Sequence, residues 1–336
     1  MSGRISCDLA PIGTYVDTAG ATNSIPCPDG TTTLTEGAAS AGDCVILAAV
    51  AESISAGSAH TCALLVNGTA RCWGYNLNGQ LGDGTTTDSN IPVVVSGLTD
   101  AVAISAGQSH TCAVLGDGTT TDSNVPVTVI GINNALGITT GFSNSCAVLG
   151  DGTVRCWGLN DFGQLGDGTT TTSNVPVTVS GLTDAVSVDA GTSHSCVVLG
   201  DGTARCWGYN LFGGLGDDTT TDSSIPVTVS GLTNAVSVDA GELTSCAVLD
   251  DGGARCWGVN FGGALGNGTN TNSNIPVTVS GLTNTVTITA GRGHSCAVLS
   301  DSSARCWGTN LDGQLGNGTN GSNAGSNIPV VVANIP

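Results

Sequence analysis

The chain has 336 residues, of which 51 are glycine and only 10% carry a charge, and this abundance of turn-forming residues predicts an all-β protein. Seven basic residues, all arginine, stand against 26 acidic ones, for a net charge of −19. Affinity for nucleic acid depends on basic side chains, and no stretch approaches the ~18 apolar residues of a membrane span, so we expect neither a nucleic-acid partner nor membrane insertion.

The first 44 residues differ in composition from the rest of the chain. They contain Cys7, Cys27 and Cys44, and the phrase CPDGTTTLTEGA begins at Cys27. This phrase resembles the short cysteine-rich modules of ephrin-receptor and growth-factor-receptor type, which disulfides hold together. Such modules commonly carry a further cysteine three residues before the CP pair, where this chain has Ser24. We therefore predict a cysteine-rich module over residues 1–44, with an odd number of cysteines, and a second domain over residues 45–336.

The second domain is a tandem repeat of about 50 residues. A full unit, such as residues 185–234, holds four β-rich runs separated by Gly, Asp, Asn and Pro. Four short strands in each unit are typical of a propeller blade. We therefore predict an all-β fold, a β-propeller of about six blades with one blade incomplete, built from the units 51–100, 101–134, 135–184, 185–234, 235–284 and 285–336.

The second unit, residues 101–134, is 16 residues shorter than the others. The missing part corresponds to TVRCWGLNDFGQLGDG, residues 153–168 of the next unit. This unit should therefore lack one strand, and Cys112 should lack its hairpin partner. Because a propeller must join its two ends, we also predict closure between the last strand, near Pro329–Val332, and the segment Ala51–Gly57.

Three phrases recur across the units: AG..H(S/T)CAVL, DGT.RCWG.N..GQLG and (I/V)PV.V.GL. They resemble the repeat of the regulator of chromosome condensation family, and the resemblance covers about residues 50–336. It implies a propeller, usually of seven blades. The founding activity of that family is nucleotide exchange on a small nuclear GTPase, whereas other members are secreted binding proteins, including inhibitors of β-lactamases. Propellers host unrelated functions, so the function needs separate evidence.

Five units contain two cysteines separated by nine residues. If VNG (66–68) or GDG (150–152) forms a three-residue hairpin loop, the two cysteines of a pair face each other at a distance that a disulfide accepts. Buried free thiols and a zinc site are the alternatives, and the absence of short C-x-x-C pairs disfavours zinc. The five predicted disulfides are Cys62–Cys72, Cys146–Cys156, Cys196–Cys206, Cys246–Cys256 and Cys296–Cys306.

The remaining cysteines are Cys7, Cys27, Cys44 and Cys112. We expect Cys27 to pair with Cys44 inside the module and Cys7 to pair with Cys112, either within one chain or between two chains. A disulfide-rich chain is typical of an oxidising compartment. We therefore expect a secreted protein, extracellular or at the cell surface.

Other residues that recur in each unit have structural interpretations. Trp73, Trp157, Trp207, Trp257 and Trp307 follow the second cysteine and should fill the core between blades. Arg71, Arg155, Arg205, Arg255 and Arg305 precede it and should pair with local carboxylates or carbonyls. The histidines should be structural, because identical positions in separate blades are spread around a ring rather than brought together. They are His60, His110, His194 and His294.

No residue pattern indicates catalysis, a cofactor or a metal. The loop Leu81–Ser89 and its counterparts offer Asp and Thr oxygens, but their order does not match a calcium loop, and turn use is favoured. We expect a non-enzymatic extracellular scaffold, whose partners are copies of itself or another extracellular protein. It would polymerise through the amino-terminal segment and the incomplete blade. The alternative is a secreted protein-binding module, similar to an inhibitor or an adhesin, that uses loops on the propeller face.

Overall fold

A computed structural model of the chain describes residues 51–115, 129, 131–132 and 134–333, together with the backbone of five two-residue strands. Four of those strands precede residue 51 and pair as β1 (Thr14–Tyr15) with β2 (Ile25–Pro26) and β3 (Thr31–Thr32) with β4 (Val45–Ile46). Cys7, Cys27 and Cys44, and with them the predicted Cys27–Cys44 and Cys7–Cys112 bonds, lie outside the described residues.

The repeats form antiparallel sheets whose strand order follows the chain. Five sheets have four strands, and we name all sheets by their order in the chain. Sheet 1 contains β5–β8 (Ala51–Ala56, His60–Leu65, Ala70–Gly74, Ser89–Val94) and sheet 3 contains β12–β15 (Ala135–Thr140, Asn144–Leu149, Val154–Gly158, Ser173–Thr178). Sheet 4 contains β16–β19 (Ala185–Ala190, His194–Leu199, Ala204–Gly208, Ser223–Thr228). Sheet 5 contains β20–β23 (Ala235–Ala240, Thr244–Leu249, Ala254–Gly258, Ser273–Thr278), and sheet 6 contains β24–β27 (Thr285–Ala290, His294–Leu299, Ala304–Gly308, Ser326–Val331).

Sheet 2, from the short unit, has three described strands: β9 (Ala101–Ala106), β10 (Thr111–Leu115) and β11 (Thr120–Thr121). Its register pairs Ala113 with Thr121. In sheet 1 the equivalent pair is Ala63 with Arg71, so Thr121 stands at the position that arginine holds in a full unit. The fold is thus an all-β propeller with five complete blades and a sheet of three described strands between the first two of them.

The second and third strands of each complete blade form a tight hairpin. In sheet 1 the amide of Leu65 donates to the carbonyl of Thr69, and Gly68 takes the left-handed conformation with φ +76°, which glycine adopts without strain. Cys62 then lies opposite Cys72, with their Cα atoms 4.1 Å apart, and a disulfide joins them. The other four predicted hairpin pairs are bonded in the same way.

Consecutive sheets pack face to face through a repeated apolar contact. The disulfide face of one sheet, such as Cys196, Val198 and Cys206, packs on the tryptophan face of the next, such as Val238 and Trp257. Five such clusters join sheets 1 to 6 in succession. Trp157, Trp207, Trp257 and Trp307 are buried, which confirms the predicted role of these side chains in the core. Burial of each contributes on the order of 3 kcal/mol. Trp73, in the first sheet, is only partly buried and belongs to no core cluster, because no described sheet packs on its tryptophan face.

The predicted joining of the last strand to the Ala51–Gly57 segment is wrong. β27 pairs with β26 and β5 pairs with β6, so each strand completes its own sheet. Among the described residues no core cluster joins sheet 6 to sheet 1. The side chain of Ile54, on the tryptophan face of sheet 1, is 67% exposed, whereas its counterpart Val238 is 8% exposed. Val298, on the disulfide face of sheet 6, is 44% exposed.

Within the described part of the chain, helical structure is limited to a 3-10 turn at Phe261–Gly263, and no helix is long and apolar enough to cross a membrane.

Candidate binding surface on the loop face

Two kinds of loop emerge at the same end of the propeller. In each complete blade the first turn joins the first and second strands, and the long loop joins the third and fourth strands; in sheet 1 these are residues 57–59 and 75–88. Because neighbouring strands are antiparallel, both connections lie at one end of the sheet. The amide of Tyr75, at the start of the long loop, donates to the carbonyl of Ala59 in the first turn. We call this end of the molecule the loop face.

The first turns surround the mouth of a central channel. Residues from all six sheets line a cavity of about 620 Å³ there. Its wall is made of Ala and Gly, because the turns approach one another closely: a Cβ atom on Gly191 would lie 2.2 Å from the carbonyl oxygen of Gly241. The chain therefore holds the turn backbones at a fixed spacing, and only the residue after each glycine presents a large side chain.

The residue that follows the glycine of each first turn is different in every unit. Phe142 is 44% exposed, and Arg292 forms an ion pair with Glu242 at 3.1 Å. The glycine before this residue is the same in every unit, and the residue after it varies less, with serine in three of the six units. The six residues are Ser58, Gln108, Phe142, Thr192, Glu242 and Arg292.

Just inside the mouth, the inner strands are joined by hydrogen bonds from one sheet to the next. Asp189 accepts from the hydroxyl of Thr139 at 2.7 Å and from the amide of Ala240 at 2.7 Å, while Asp239 accepts from the amide of Ala290 at 2.6 Å. Burial raises the pKa of Asp239 well above its ordinary value, and the neighbouring Asp189 carboxylate raises it further. The inner strands of sheets 4 and 5 thus place two carboxyl groups near each other.

The long loops are held rigidly by a buried asparagine. Asn160 donates to the carbonyls of Thr169 at 3.2 Å and Thr171 at 3.1 Å, and accepts from the amide of Leu165 at 2.9 Å. Asp167 accepts from the amide and hydroxyl of Thr169, in the turn role that the sequence favoured over calcium binding. Among the described residues, no group of three or more His, Cys, Asp or Glu side chains is arranged to hold a metal.

The tips of these rigid loops carry exposed apolar and aromatic side chains. Phe162 packs edge-on against Tyr209, with ring centroids 4.9 Å apart, and Tyr209 contacts Phe212 at 6.3 Å. This aromatic cluster spans sheets 3 and 4. Further apolar side chains, at the tip position one residue earlier in the loop, are more than half exposed: Leu77, Leu211, Phe261 and Leu311. Large apolar groups that solvent reaches on several adjacent loops mark a binding surface.

Three of the four predicted structural histidines take part in contacts between sheets; His294, in sheet 6, has no such contact among the described residues. His194 Nε2 lies 2.8 Å from the hydroxyl of Ser245, which donates to the carbonyl of Gly214. The indole of Trp257 donates to that same carbonyl at 2.9 Å. Burial lowers the pKa of His194 to about 4, so the ring is neutral at ordinary pH. His60 and His110 make the same contact with Thr111 and Ser145.

The arginines differ from their expected pairing. Nε of Arg155 and Nε of Arg205 are buried without a hydrogen-bond partner in the described part of the chain. Their charge acts on the hairpin aspartates: the pKa of Asp151 is lowered mainly by hydrogen bonds from Thr153, with a smaller contribution from Arg155. Cys112, whose predicted partner lies outside the described residues, places its sulfur 3.7 Å from the hydroxyl of Ser145.

The mouth residues and the aromatic tips were not predicted from the sequence. An alignment of the six units shows the signal for the mouth: the residue after the turn glycine differs in every unit, although the glycine itself does not change. The exposure of Phe162 and Phe212 could be determined only from the structure, because the same units also contain aromatic side chains, the tryptophans, that are buried.

Comparison with known proteins supports the resemblance seen in the repeats. Two sequence patterns of the regulator of chromosome condensation (RCC1) repeat match, one at residues 67–114, 151–198, 201–248 and 251–298, the other at 51–80, 137–164, 185–213 and 286–314. The pattern of tyrosine-protein kinase ephrin type A/B receptor-like modules matches residues 2–44. A stretch of 65 residues is 37% identical to the ultraviolet-B receptor UVR8 of Arabidopsis thaliana, and it spans 19% of this chain and 15% of that receptor.

Solved structures share the fold at low sequence identity. Prp20p of Saccharomyces cerevisiae is 20% identical with a TM-score of 0.75, over 84% of this chain and 76% of that chain. Human WBSCR16 is 19% identical with a TM-score of 0.73, over 94% and 88%. The ectodomain of the receptor kinase CR4 from Physcomitrella patens is 24% identical with a TM-score of 0.51, over 77% and 61%.

The repeat patterns together cover more than half of the chain, and the sheets they describe are the blades of the structure. The chain belongs to the regulator of chromosome condensation (RCC1) repeat family.

Proposed function

We propose that this protein is an extracellular, non-enzymatic scaffold that binds another protein through its loop face. The observation that carries the proposal is the set of aromatic and aliphatic side chains exposed on rigid loop tips, around a mouth whose six residues all differ. Protein interfaces are enriched in aromatic side chains, and a few such residues supply most of the binding energy. Rigid loops reduce the entropy lost on binding.

The surface chemistry favours a protein over a nucleic acid as the partner. The net charge is −19, and the arginine at the mouth, Arg292, is paired with Glu242. Yeast Prp20p, which has the same fold, is described by its binding to Gsp1p and histones. Five disulfides between strands support an oxidising, extracellular compartment.

The proposal is tested by a triple variant of the aromatic tips, Phe162→Ser, Phe212→Ser and Phe261→Ser. The matched control, Val175→Ser, Ile225→Ser and Ile275→Ser, removes exposed apolar side chains from the outer strands instead. The immobilised wild-type protein would be used to isolate a partner from the extracellular medium of its source, and the purified partner would be titrated against each variant. Loss of a hot-spot residue costs about 2 kcal/mol, so we expect at least about 30-fold weaker binding for the tip variant.

The control should bind within about threefold of wild type, since such a difference is well below 1 kcal/mol. Equal affinity of the tip variant and the wild type for the partner would contradict a role for the loop face.

A second candidate function, self-assembly, is favoured by the uncovered ends of the row of sheets. Sheet 1 leaves Ile54 exposed on its tryptophan face, and sheet 6 leaves Val298 exposed on its disulfide face. These two faces are complementary, because the same kinds of face pack together between consecutive sheets. Contact between the ends of two copies would be head-to-tail, and a head-to-tail contact that does not close produces a filament. The route predicted from the sequence, through the amino-terminal segment, involves residues outside the described ranges.

Sedimentation velocity from about 1 to 100 μM tests self-assembly, because an interface of moderate affinity becomes populated in this range. Val298→Glu should abolish any concentration-dependent growth in size. Val286→Glu, at a position of sheet 6 that is 55% exposed, is the matched control and should leave it unchanged. A wild-type protein that stays monomeric over this concentration range would refute self-assembly. The same result would not bear on protein binding through the loop face.

A further inference from the structure

The sequence contains five Asn-Gly pairs, and an asparagine that precedes glycine can react with its own main chain. The reaction begins when the amide nitrogen of the glycine attacks the side-chain carbonyl carbon of the asparagine. Glycine favours this step because it has no side chain to obstruct the attack. An amide that donates a hydrogen bond must first be released from its acceptor. The five asparagines are Asn67, Asn78, Asn267, Asn317 and Asn320.

Four of the five glycine amides donate hydrogen bonds within the described part of the chain. Gly68 and Gly79 donate inside their own turns, and Gly321 donates across its long loop. Gly268 donates to the following sheet. Among the described residues, no group accepts from the amide of Gly318. Asn317 is therefore the asparagine whose neighbouring nucleophile needs no release.

This exception follows from the position of Gly318 in the row of sheets. In the long loop of sheet 5, Gly268 donates to the main-chain carbonyl of Asn327 at 2.8 Å, and the side chain of Asn327 donates back to the carbonyl of Gly268 at 2.9 Å. In sheet 3, Gly168 makes the equivalent bond to the carbonyl of Ser224 at 2.9 Å. Both acceptors belong to the outer strand of the following sheet. No described sheet follows sheet 6, so Gly318 has no such acceptor and is exposed to solvent.

The side chain of Asn317 is held in a form that favours attack. Its Oδ1 accepts from the amide of Thr319 at 3.1 Å, from the hydroxyl of Thr319 at 2.7 Å and from Nδ2 of Asn310 at 3.3 Å. When a nucleophile adds to Cγ, negative charge develops on Oδ1. Donors that already point at this oxygen stabilise the charge as it forms.

Asn267 provides a matched comparison inside the same chain. The same six residues, LGNGTN, form positions 265–270 and 315–320. Oδ1 of Asn267 accepts the same three kinds of hydrogen bond, from the threonine two positions later and from the buried asparagine of its long loop. Gly268 and Gly318 have nearly equal φ, +83° and +82°. The two sites therefore differ in the hydrogen bonding of the glycine amide.

We propose that Asn317 is a site of spontaneous modification, at which the folded chain converts asparagine to aspartate and isoaspartate with water as the co-reactant. The amide nitrogen of Gly318 loses its proton to solvent and forms a bond to Cγ of Asn317. The bond from Cγ to Nδ2 then breaks, and the leaving nitrogen takes up a proton and departs as ammonia. Water opens the resulting five-membered succinimide ring. Opening at Cγ gives aspartate, and opening at the main-chain carbonyl gives isoaspartate.

The two products have different effects on the long loop of sheet 6. The carboxylates of Asp83 and Asp167 accept from the amide of the threonine two residues later, as Asn317 does. Aspartate at position 317 therefore preserves the turn and adds a negative charge. Isoaspartate lengthens the main chain by a methylene group and disrupts the turn. The rim of the loop face thus changes with the age of the molecule, and this inference does not depend on the proposed function.

Incubation of the full, non-glycosylated chain in dilute, mildly alkaline solution tests the proposal. Peptide mass spectrometry at intervals locates each modified asparagine. In the folded chain, Asn317 should react at least about tenfold faster than Asn267. A tenfold ratio corresponds to only about 1.4 kcal/mol, and release of Gly268 requires the loss of two hydrogen bonds. In chain that is reduced and unfolded in guanidinium chloride, the two sites should react at equal rates, because the same six residues surround both.

The matched variants are Asn317→Asp and Asn267→Asp. Both introduce aspartate at a loop position where sheets 1 and 3 already carry it, so both variants should fold. In isoelectric focusing, the wild-type chain should gain a negative charge with time. Asn317→Asp should begin with that charge and stay unchanged over the same period, whereas Asn267→Asp should begin with the same charge and still gain another.

Equal rates at Asn317 and Asn267 in the folded chain would overturn the proposal. Modification of another Asn-Gly pair before Asn317 would also overturn it, as would a folded chain in which Asn317 stays intact while the unfolded chain reacts.

Discussion

Replacement of Gly166 by alanine should destabilise the propeller far more than replacement of Gly181. Both glycines have φ +69°, so the strain of a left-handed alanine, about 1–2 kcal/mol, is common to the two variants. A Cβ at Gly181 meets nothing within 4 Å, whereas a Cβ at Gly166 lies 2.7 Å from Nε1 and 2.9 Å from Cδ1 of Trp207. The indole must therefore move, and it is fully buried.

The difference between the two variants follows from that displacement. Overpacking in a filled core costs about 1–3 kcal/mol, and loss of the hydrogen bond from the indole of Trp207 to the carbonyl of Gln164 adds about 1 kcal/mol. We therefore expect Gly166→Ala to lower the free energy of unfolding by about 2–4 kcal/mol more than Gly181→Ala does. Urea unfolding followed by circular dichroism under non-reducing conditions measures this difference, and tryptophan fluorescence reports the altered environment of the indole. Equal destabilisation by the two substitutions would refute the assigned packing of Trp207 against Gly166.

Three further predictions concern the disulfides and the buried titratable groups. Replacing Cys196 and Cys206 together by alanine should lower the free energy of unfolding by about 2–3 kcal/mol in the same assay, because the bond closes a short loop; an unchanged urea midpoint would contradict this. Asp239→Asn should raise the melting temperature at pH 7. The raised pKa of Asp239 means that its contribution to stability is complete below its ordinary pKa of 3.8 and is lost as the pH rises through the folded value. The gain should therefore vanish near pH 4, and a gain independent of pH would contradict the assignment. The ring signals of His194 in NMR spectra should titrate near its lowered pKa of about 4. The neutral ring contributes stability that is complete above the ordinary pKa of 6.5 and is lost as the pH falls through the folded pKa of about 4. A midpoint near 6.5 would contradict its burial.

The strands of the full units were predictable because each full unit repeats the same spacing of cysteines and the same Arg-Cys-Trp phrase. The nine residues between Cys62 and Cys72 fix a hairpin register, and the alternation Arg-Cys-Trp places the disulfide and the indole on opposite faces. Five copies of such a pattern leave little freedom in the assignment of the strands. The same repetition explains why Trp257 could be assigned to the core without coordinates.

The ends of the repeat array were not predictable, because the pattern says nothing about what lies beyond it. Closure between Pro329–Val332 and Ala51–Gly57 was inferred from how propellers generally end, and the structure pairs each segment inside its own sheet.

The five hairpin disulfides also determine how the chain responds to mechanical tension. Cys62 and Cys72 are ten positions apart, a stretch that spans about 33–36 Å when extended, yet the bond holds their Cα atoms at 4.1 Å. Each bond therefore withholds about 30 Å of contour length, and five withhold about 150 Å. A molecule pulled from its ends can lose its inner and outer strands by peeling, but the two middle strands of every complete blade stay joined at any force that leaves the disulfides intact.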